Sequence, residues 1–267
     1  MKRLFIVFSL LLLGCEIKTK DKNEDNQVLS IFKRKLKTKQ VFSHADYNII
    51  FDNTVVEGMQ IDILEIGDLN LPSGRVVVCD PLVVPDMHPL NKVVKPGKYP
   101  IKIYSAKTKE SGDRYAIAKL EFEKKKADKW VLAVRDEEDV SELKDNGEFF
   151  GFPVDAGLGG FFDYHAGIKY NKFIQEFLKK NPEGNIYDDF FAAEFKKNAK
   201  EPNNPKDYGD WVNFTLPNSD LNITMFHSGY GDGTYPAYWG MTNDNEIVSL
   251  VIDFFVVLLP DGEESNE

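Results

Sequence analysis

The chain has 267 residues, of which 42% are hydrophobic and 13% are aromatic. This composition suffices for a packed core and excludes global disorder, and the length suits one large domain. The formal charge is −10. Because an acidic surface repels phosphate backbones, nucleic acid is excluded as the expected partner, and a basic protein or peptide is favoured.

The first predicted element is a bacterial lipoprotein signal peptide over residues 1–14. Lys2 and Arg3 precede a short apolar run, and a glycine stands directly before Cys15. The run is too short to span about 30 Å of hydrocarbon, but it is typical of a secretory signal. Cleavage leaves Cys15 as the lipidated first residue, in the cell envelope on the extracytoplasmic side of a bacterial membrane. Loss of Lys2 and Arg3 brings the formal charge from −10 to −12.

Residues 15–40 are predicted to form a lipidated tether that ends in a basic segment. The stretch 16–27 is nearly all polar or charged and has no periodicity, which is typical of a linker. Two interpretations of the basic segment stay open: contact with anionic headgroups, or the solvated face of a short helix. Its basic residues are Lys33, Arg34, Lys35, Lys37 and Lys39. Residues 41–267 are predicted to form a single β-rich globular domain.

Strands are predicted from Met59 onwards, where apolar and polar residues begin to alternate. Residues 69–71 and 75–79 read as two short strands joined by a turn that contains proline and glycine. Residues 114–123 alternate again, and residues 130–134 follow after a polar turn. This spacing predicts that the last two segments pair as a hairpin.

A helical period replaces the strand pattern over residues 164–198 and predicts two amphipathic helices. The chain then returns to strands, with a hairpin predicted for 211–216 and 221–226. Residues 247–259 are apolar on both faces, as expected of a strand in the middle of a sheet. The predicted fold class is α+β: mostly antiparallel β, as a sandwich or a curved sheet, with two helices inserted at about 164–198.

Several short segments follow one another in a characteristic order along the chain. They are Leu71-Pro72-Ser73-Gly74-Arg75, Asp80-Pro81-Leu82, Pro96-Gly97-Lys98-Tyr99-Pro100, Val154-Asp155-Ala156-Gly157 running to Asp163, Gly231-Asp232-Gly233-Thr234-Tyr235 with Tyr238-Trp239-Gly240, and Val248 to Phe254. In these segments the chain resembles the bacterial domain-of-unknown-function 4241 family, in a lipoprotein form, over roughly residues 58–259. The resemblance implies no established activity. The stretch 159–162 departs from the cysteine-containing version of the family, which argues against a thiol-based role.

Three aspartates form the candidate metal site of the sequence. Asp155 and Asp163 flank a glycine-rich turn, and Asp232 stands between two glycines. If the three carboxylates converge, they suit Ca²⁺ or Mg²⁺, which prefer oxygen ligands, and no other cofactor is indicated. The alternative is that they are ordinary turn residues that cap neighbouring backbone.

Asp253 is the most anomalous single residue, because it lies within an apolar strand where a carboxylate is costly to bury without a partner. A structural ion pair with an arginine is predicted, with Arg75 as the chosen partner and Arg114 and Arg135 as alternatives. Two further interpretations stay open: an acid or base of raised pKa, or an edge position that faces water.

Four aromatic residues near glycines form the candidate binding cluster. They are Tyr230, Tyr235, Tyr238 and Trp239. Such side chains stack on sugar rings or anchor a partner at an interface, and the alternative is ordinary core packing. The histidines are scattered without metal-protease spacing, so no catalytic residue is predicted.

The functional prediction is a lipid-anchored extracytoplasmic binding protein, with the membrane and a protein or peptide ligand as partners, of which an immunity-type inhibitor is one form. The first alternative is a divalent-metal-binding or hydrolytic domain that uses the three aspartates. The second alternative is a carbohydrate-binding module.

Overall fold

Two antiparallel sheets make up most of the structure, which is a computed structural model that describes residues 39–83, 88–144 and 147–259. The signal peptide, Cys15 and the basic segment as far as Lys37 lie outside the described residues. The strands are β1 Val55–Val56, β2 Met59–Leu71, β3 Val76–Cys79, β4 Gly97–Thr108, β5 Gly112–Glu121, β6 Lys129–Leu132, β7 Gly151–Val154, β8 Leu158–Asp163, β9 Trp211–Thr215, β10 Asn222–His227, β11 Gly233–Met241 and β12 Ile247–Asp253.

The larger sheet has the strand order β1-β2-β4-β5-β12-β11-β6, and β7 pairs with a further part of β11. β12 lies between β5 and β11, as its apolar character on both faces predicts. The predicted hairpin of 114–123 with 130–134 is wrong, because β12 and β11 lie between β5 and β6. Alternation along a strand specifies which face is buried, but it does not specify the neighbouring strand.

The smaller sheet has the order β3-β8-β10-β9 and forms a middle layer. One face, with Val78 and Phe161, belongs to the core shared with the larger sheet. The other face, with Val77 and Phe162, belongs to a second core that it shares with the helices. Because both faces are buried, nearly every residue of β3 and β8 is apolar or glycine.

The helices are α1 Asn48–Asp52, α2 Tyr164–Lys180 and α3 Ala192–Lys196, and a π-helical turn, Tyr187–Phe191, leads directly into α3. α2 and the following helical segment cover the smaller sheet with Tyr170, Phe191 and Phe195, all fully buried. The predicted α+β class, with mostly antiparallel sheets in a sandwich-like arrangement and helices within 164–198, is therefore confirmed. No helix in the described part of the chain is long and apolar enough to cross a membrane.

The segment between β2 and β3 carries the chain from one sheet to the other. Residues 69–71 are the end of the long β2, and β3 pairs with β8 rather than with β2. The turn requires glycine at position 74. Gly74 has φ +68, and a Cβ there would lie 2.1 Å from the carbonyl oxygen of Val94. The hairpin of β9 and β10 forms as predicted.

Candidate functional site

Asp163 is fully buried and joins two segments of the family pattern. Its Oδ2 accepts hydrogen bonds from the backbone N of Ser73, at 2.9 Å, and from the Ser73 hydroxyl, at 2.6 Å. Its Oδ1 accepts a hydrogen bond from the backbone N of His165, at 2.8 Å, and so caps the start of α2. Asp163 therefore fixes the turn after β2 to the N-terminus of a helix.

Asp80 joins another two segments of the family pattern in the same way, and it too is buried. Its Oδ2 accepts hydrogen bonds from the backbone N of Asp155, at 3.2 Å, and of Ala156, at 2.7 Å. Its Oδ1 accepts from the backbone N of Leu82, at 3.1 Å. Sequence reasoning missed this role, although an aspartate directly after a wholly apolar strand is the signal that could have found it.

The three aspartates of the predicted metal site are not brought together. Val154 of β7 pairs with Gly233 of β11. Asp155 directly follows Val154 and Asp232 directly precedes Gly233, so the turns that carry these two aspartates are neighbours. Asp163 lies at the other end of the six-residue β8, about 17 Å from its start. Within residues 39–83, 88–144 and 147–259, no group of three or more His, Cys, Asp or Glu is placed to hold a metal ion. The predicted convergence is wrong, because Asp163 serves the helix cap instead.

The predicted ion pair of Asp253 with Arg75 is also wrong. Oδ2 of Asp253 accepts a hydrogen bond from the hydroxyl of Tyr47, at 2.8 Å, and Oδ1 accepts one from the backbone N of Phe255, at 2.9 Å. The guanidinium of Arg75 lies 4.0 Å from the carboxylate of Asp136 instead. A neutral hydroxyl from the segment before α1 thus satisfies the buried carboxylate.

Burial dominates the electrostatics of Asp253. It raises the pKa of this carboxyl from 3.8 to about 7, although the hydrogen bonds from Phe255 and Tyr47 act in the opposite direction. Burial and the nearby charge of Asp253 likewise raise the pKa values of Tyr47 and Tyr238. Burial therefore places the pKa of the Asp253 carboxyl near neutrality inside the core.

Three of the four predicted binding aromatics are core residues. Tyr235, Tyr238 and Trp239 are buried, and the hydroxyl of Tyr235 donates to the carbonyl of Gly231 at 2.9 Å. Tyr230 is the exception at 44% exposure, and the guanidinium of Arg114 lies 5.9 Å from its ring centroid. Core packing is therefore the role of the three buried rings, and the four do not form one surface cluster.

A cleft of about 530 Å³ opens where the edge of the larger sheet meets the edge of the smaller one. One wall is the part of β2 at which the register with β4 shifts between Glu65 and Asp68. Gly67 lies within this irregularity and has φ +90, a conformation that glycine adopts without strain. The other wall consists of β9 and the start of β10.

Amide side chains join the two walls. Nδ2 of Asn213 donates to the carbonyls of Ile66 and Asp68, at 3.0 and 3.2 Å. Nδ2 of Asn222 donates to the carbonyl of Asp68 at 2.8 Å and to Oδ1 of Asn213 at 2.6 Å. Oδ1 of Asn222 accepts from the backbone N of Asn70 at 2.9 Å. This network holds the walls in fixed register and preorganises the cleft.

The ionisable groups that line the cleft are mostly acidic. They are the carboxylates of Glu65, Asp68 and Asp220 and the ammonium of Lys98. All three acidic residues are exposed, and the partly buried indole of Trp211 adds an aromatic surface. The cleft therefore offers acceptors for a cationic ligand. The sequence did not reveal it, because the two walls lie more than 140 residues apart along the chain.

A family model described as "Protein of unknown function (DUF4241)" matches residues 69–252, which is more than half of the chain. The chain belongs to the DUF4241 family. Comparisons with curated proteins and with solved structures gave no match. Asp80 and Asp163 lie within the matched DUF4241 region, as do the cleft residues of β9 and β10, whereas Glu65 and Asp68 precede it.

Proposed function

We propose that this DUF4241 protein is a lipid-anchored binding protein on the extracytoplasmic side of a bacterial membrane, and that it holds a basic segment of a protein or peptide. An immunity-type inhibitor is one protein of this kind. The observation that carries the proposal is the cleft, in which three carboxylates and one ammonium line a preorganised space of about 530 Å³.

Electrostatics supports a basic ligand both during its approach to the protein and after it has bound in the cleft. The net negative charge of the whole chain, −10 before any processing, attracts a cationic partner and raises the association rate at low salt. At contact, a lysine or arginine in the cleft meets Glu65, Asp68 or Asp220. Because these carboxylates are exposed to solvent, each such pair contributes about 1 kcal/mol or less, and several pairs are needed for useful affinity.

The cleft acids are tested by capture from a native membrane-envelope extract at low salt. The mature chain is compared with a triple variant, Glu65→Gln with Asp68→Asn and Asp220→Asn. A matched control, Glu142→Gln with Glu176→Gln and Glu183→Gln, removes the same charge from exposed positions outside the cleft. We expect a partner that the mature chain and the control retain and that the cleft variant loses. No partner at all, or equal capture by both variants, contradicts the proposal.

The membrane anchor is a separate part of the proposal and has its own test. It is supported by the sequence around Cys15 and by the polar tether that follows. Cells that express the full chain are labelled with a palmitate analogue, and the Cys15→Ala variant serves as the control. We expect the label on the wild type only, whereas an unlabelled wild type or a retained Met1 in mass spectrometry contradicts lipidation.

A further inference from the structure

We infer that the basic ligand binds as an extended strand added to the free edge of β9, with lysine or arginine at alternate positions directed into the cleft. The inference rests on the proposed binding function and adds the mode of recognition. Strand addition draws affinity from backbone hydrogen bonds and specificity from alternate side chains.

β9 is the edge strand of the smaller sheet, and among the strands of the described residues it pairs with β10 alone. Backbone groups of paired antiparallel strands face one another at every second residue. The N–H of Leu216 donates to the carbonyl of Leu221 just beyond one end of β9, at 2.8 Å. The N–H of His227 donates to the carbonyl of Asp210 at the other end, at 3.0 Å. The even-numbered residues of β9 therefore direct their backbone groups to β10, and the odd-numbered ones direct theirs outward.

The outward backbone groups belong to Trp211, Asn213 and Thr215, and all three residues line the cleft. The carbonyl of Trp211 accepts a hydrogen bond from Nδ2 of Asn198 at 3.2 Å. Within the described residues, the three outward N–H groups and the carbonyls of Asn213 and Thr215 have no hydrogen-bond partner. The free edge of β9, whose residues line the cleft, thus presents a row of unpaired donors and acceptors at the spacing of a β-strand.

The edge of β9 also lacks the usual protection against pairing. Edge strands in natural proteins are blunted by charged residues, proline or a bulge. β9 has the sequence Trp-Val-Asn-Phe-Thr, with neither a charge nor a proline, and its register with β10 is regular over all five residues. Five residues extend over about 17 Å, which sets the length of the segment that pairs.

β2, on the other side of the cleft, is not equally open to an added strand. Over the part that lines the cleft, the N–H of Asn70 and the carbonyls of Ile66 and Asp68 are occupied by the amides of Asn213 and Asn222. Its contribution is charge. A strand beside β9 directs every second side chain toward Glu65 and Asp68. Because these two side chains are acidic, we expect lysine or arginine at every second position of the ligand.

The test uses Thr215, which is exposed and whose N–H points outward. Thr215→Pro removes this N–H and keeps every hydrogen bond to β10, because the N–H of Thr215 faces away from β10. Proline is tolerated at such a position on the free side of an edge strand. Thr215→Val keeps the N–H and serves as the matched control. Phage-displayed linear dodecapeptides are selected on the wild-type chain, and thermal unfolding of both variants verifies that each is folded.

We expect the enriched peptides to carry lysine or arginine at alternate positions. Thr215→Pro is expected to bind these peptides about tenfold or more weakly than Thr215→Val, which keeps the backbone N–H. Equal binding to wild type and Thr215→Pro overturns strand addition but leaves the binding function in place. Absence of enrichment overturns strand addition as well, and capture from the envelope extract then decides the binding function separately.

N-methylation of the selected peptide gives a second test that does not depend on the folding of a variant. Successive N–H groups of an extended peptide point to opposite sides, so methyl groups on every second backbone nitrogen remove the donors of one side only. The odd-numbered and the even-numbered nitrogens thus give two methylation registers. We expect one methylation register to abolish binding to the wild type and the other to have little effect. Equal loss or equal tolerance in the two registers overturns strand addition.

Discussion

Replacement of Asp253 by asparagine is expected to remove a specific part of the pH dependence of folding. In the folded chain the pKa of this carboxyl is raised to about 7, against an ordinary value of 3.8. As the pH rises from about 4 to about 7, the unfolded chain loses this proton while the folded chain keeps it. The free energy of unfolding of the wild type therefore falls across this range and levels off above pH 7.

The magnitude follows from the separation of the two pKa values. At about 1.4 kcal/mol for each pKa unit, the full effect is about 4 kcal/mol, and about 3 kcal/mol of it falls between pH 5 and pH 8. Asp253→Asn has nearly the same shape and cannot ionise. The stability difference between variant and wild type is expected to shift by about 3 kcal/mol in favour of the variant as the pH rises.

Urea unfolding at pH 5, 6, 7 and 8 measures this shift, and comparing the two chains at each pH cancels the contribution of all other groups. Tyr47→Phe serves as a companion, because it removes a hydrogen bond that lowers the pKa of Asp253. Its stability is expected to level off at a higher pH than that of the wild type. Parallel curves for wild type and Asp253→Asn would refute the assignment of this titration to Asp253.

The remaining predictions concern the turns and the amide network, and chemical denaturation checks each of them. Ser73→Ala removes a hydroxyl that donates to the buried Asp163, and a loss of about 1–3 kcal/mol is expected. Gly74→Ala adds a Cβ against a backbone carbonyl at positive φ and is expected to cost more than Gly58→Ala, where φ is also positive but no atom lies within 4 Å. Asn222→Ala leaves several polar groups of the cleft without their partner and is expected to cost about 1–3 kcal/mol, whereas a change within 0.5 kcal/mol would contradict the bridging role of the amide network.

The elements that local patterns specify were predictable from the sequence. β9 and β10 are adjacent in the chain and joined by a short turn, and β12 is apolar on both faces, which specifies a central strand. The pairing of β5 with β12 was not predictable in this way. It joins segments about 130 residues apart, and alternation carries no information about the partner.

The site residues were harder to predict, because their roles depend on distant partners. The ionisable side chain at position 253 suggested an ion pair, but the group that reaches it is the neutral hydroxyl of Tyr47, 206 residues earlier. Asp163 was placed in a metal site because it is near Asp155 in sequence, yet a six-residue strand separates the two. Tyr235 and its aromatic neighbours suggested either a binding cluster or core packing, and burial distinguishes a core ring from a binding ring only in three dimensions.

In the strand order of the larger sheet, the first described residues of the chain lie far from the cleft. Residues 41–43 lie beside β6, where the N–H of Leu132 donates to Val41 and the N–H of Ser43 donates to Trp130. The cleft lies at β2, which is five inter-strand spacings from β6, or about 24 Å along the sheet. Residues 41–43 therefore contact β6, which is far in the strand order from the strand that forms one wall of the cleft. Among the described residues that line the cleft, none belongs to β6 or to residues 41–43, so the two regions share no side chain.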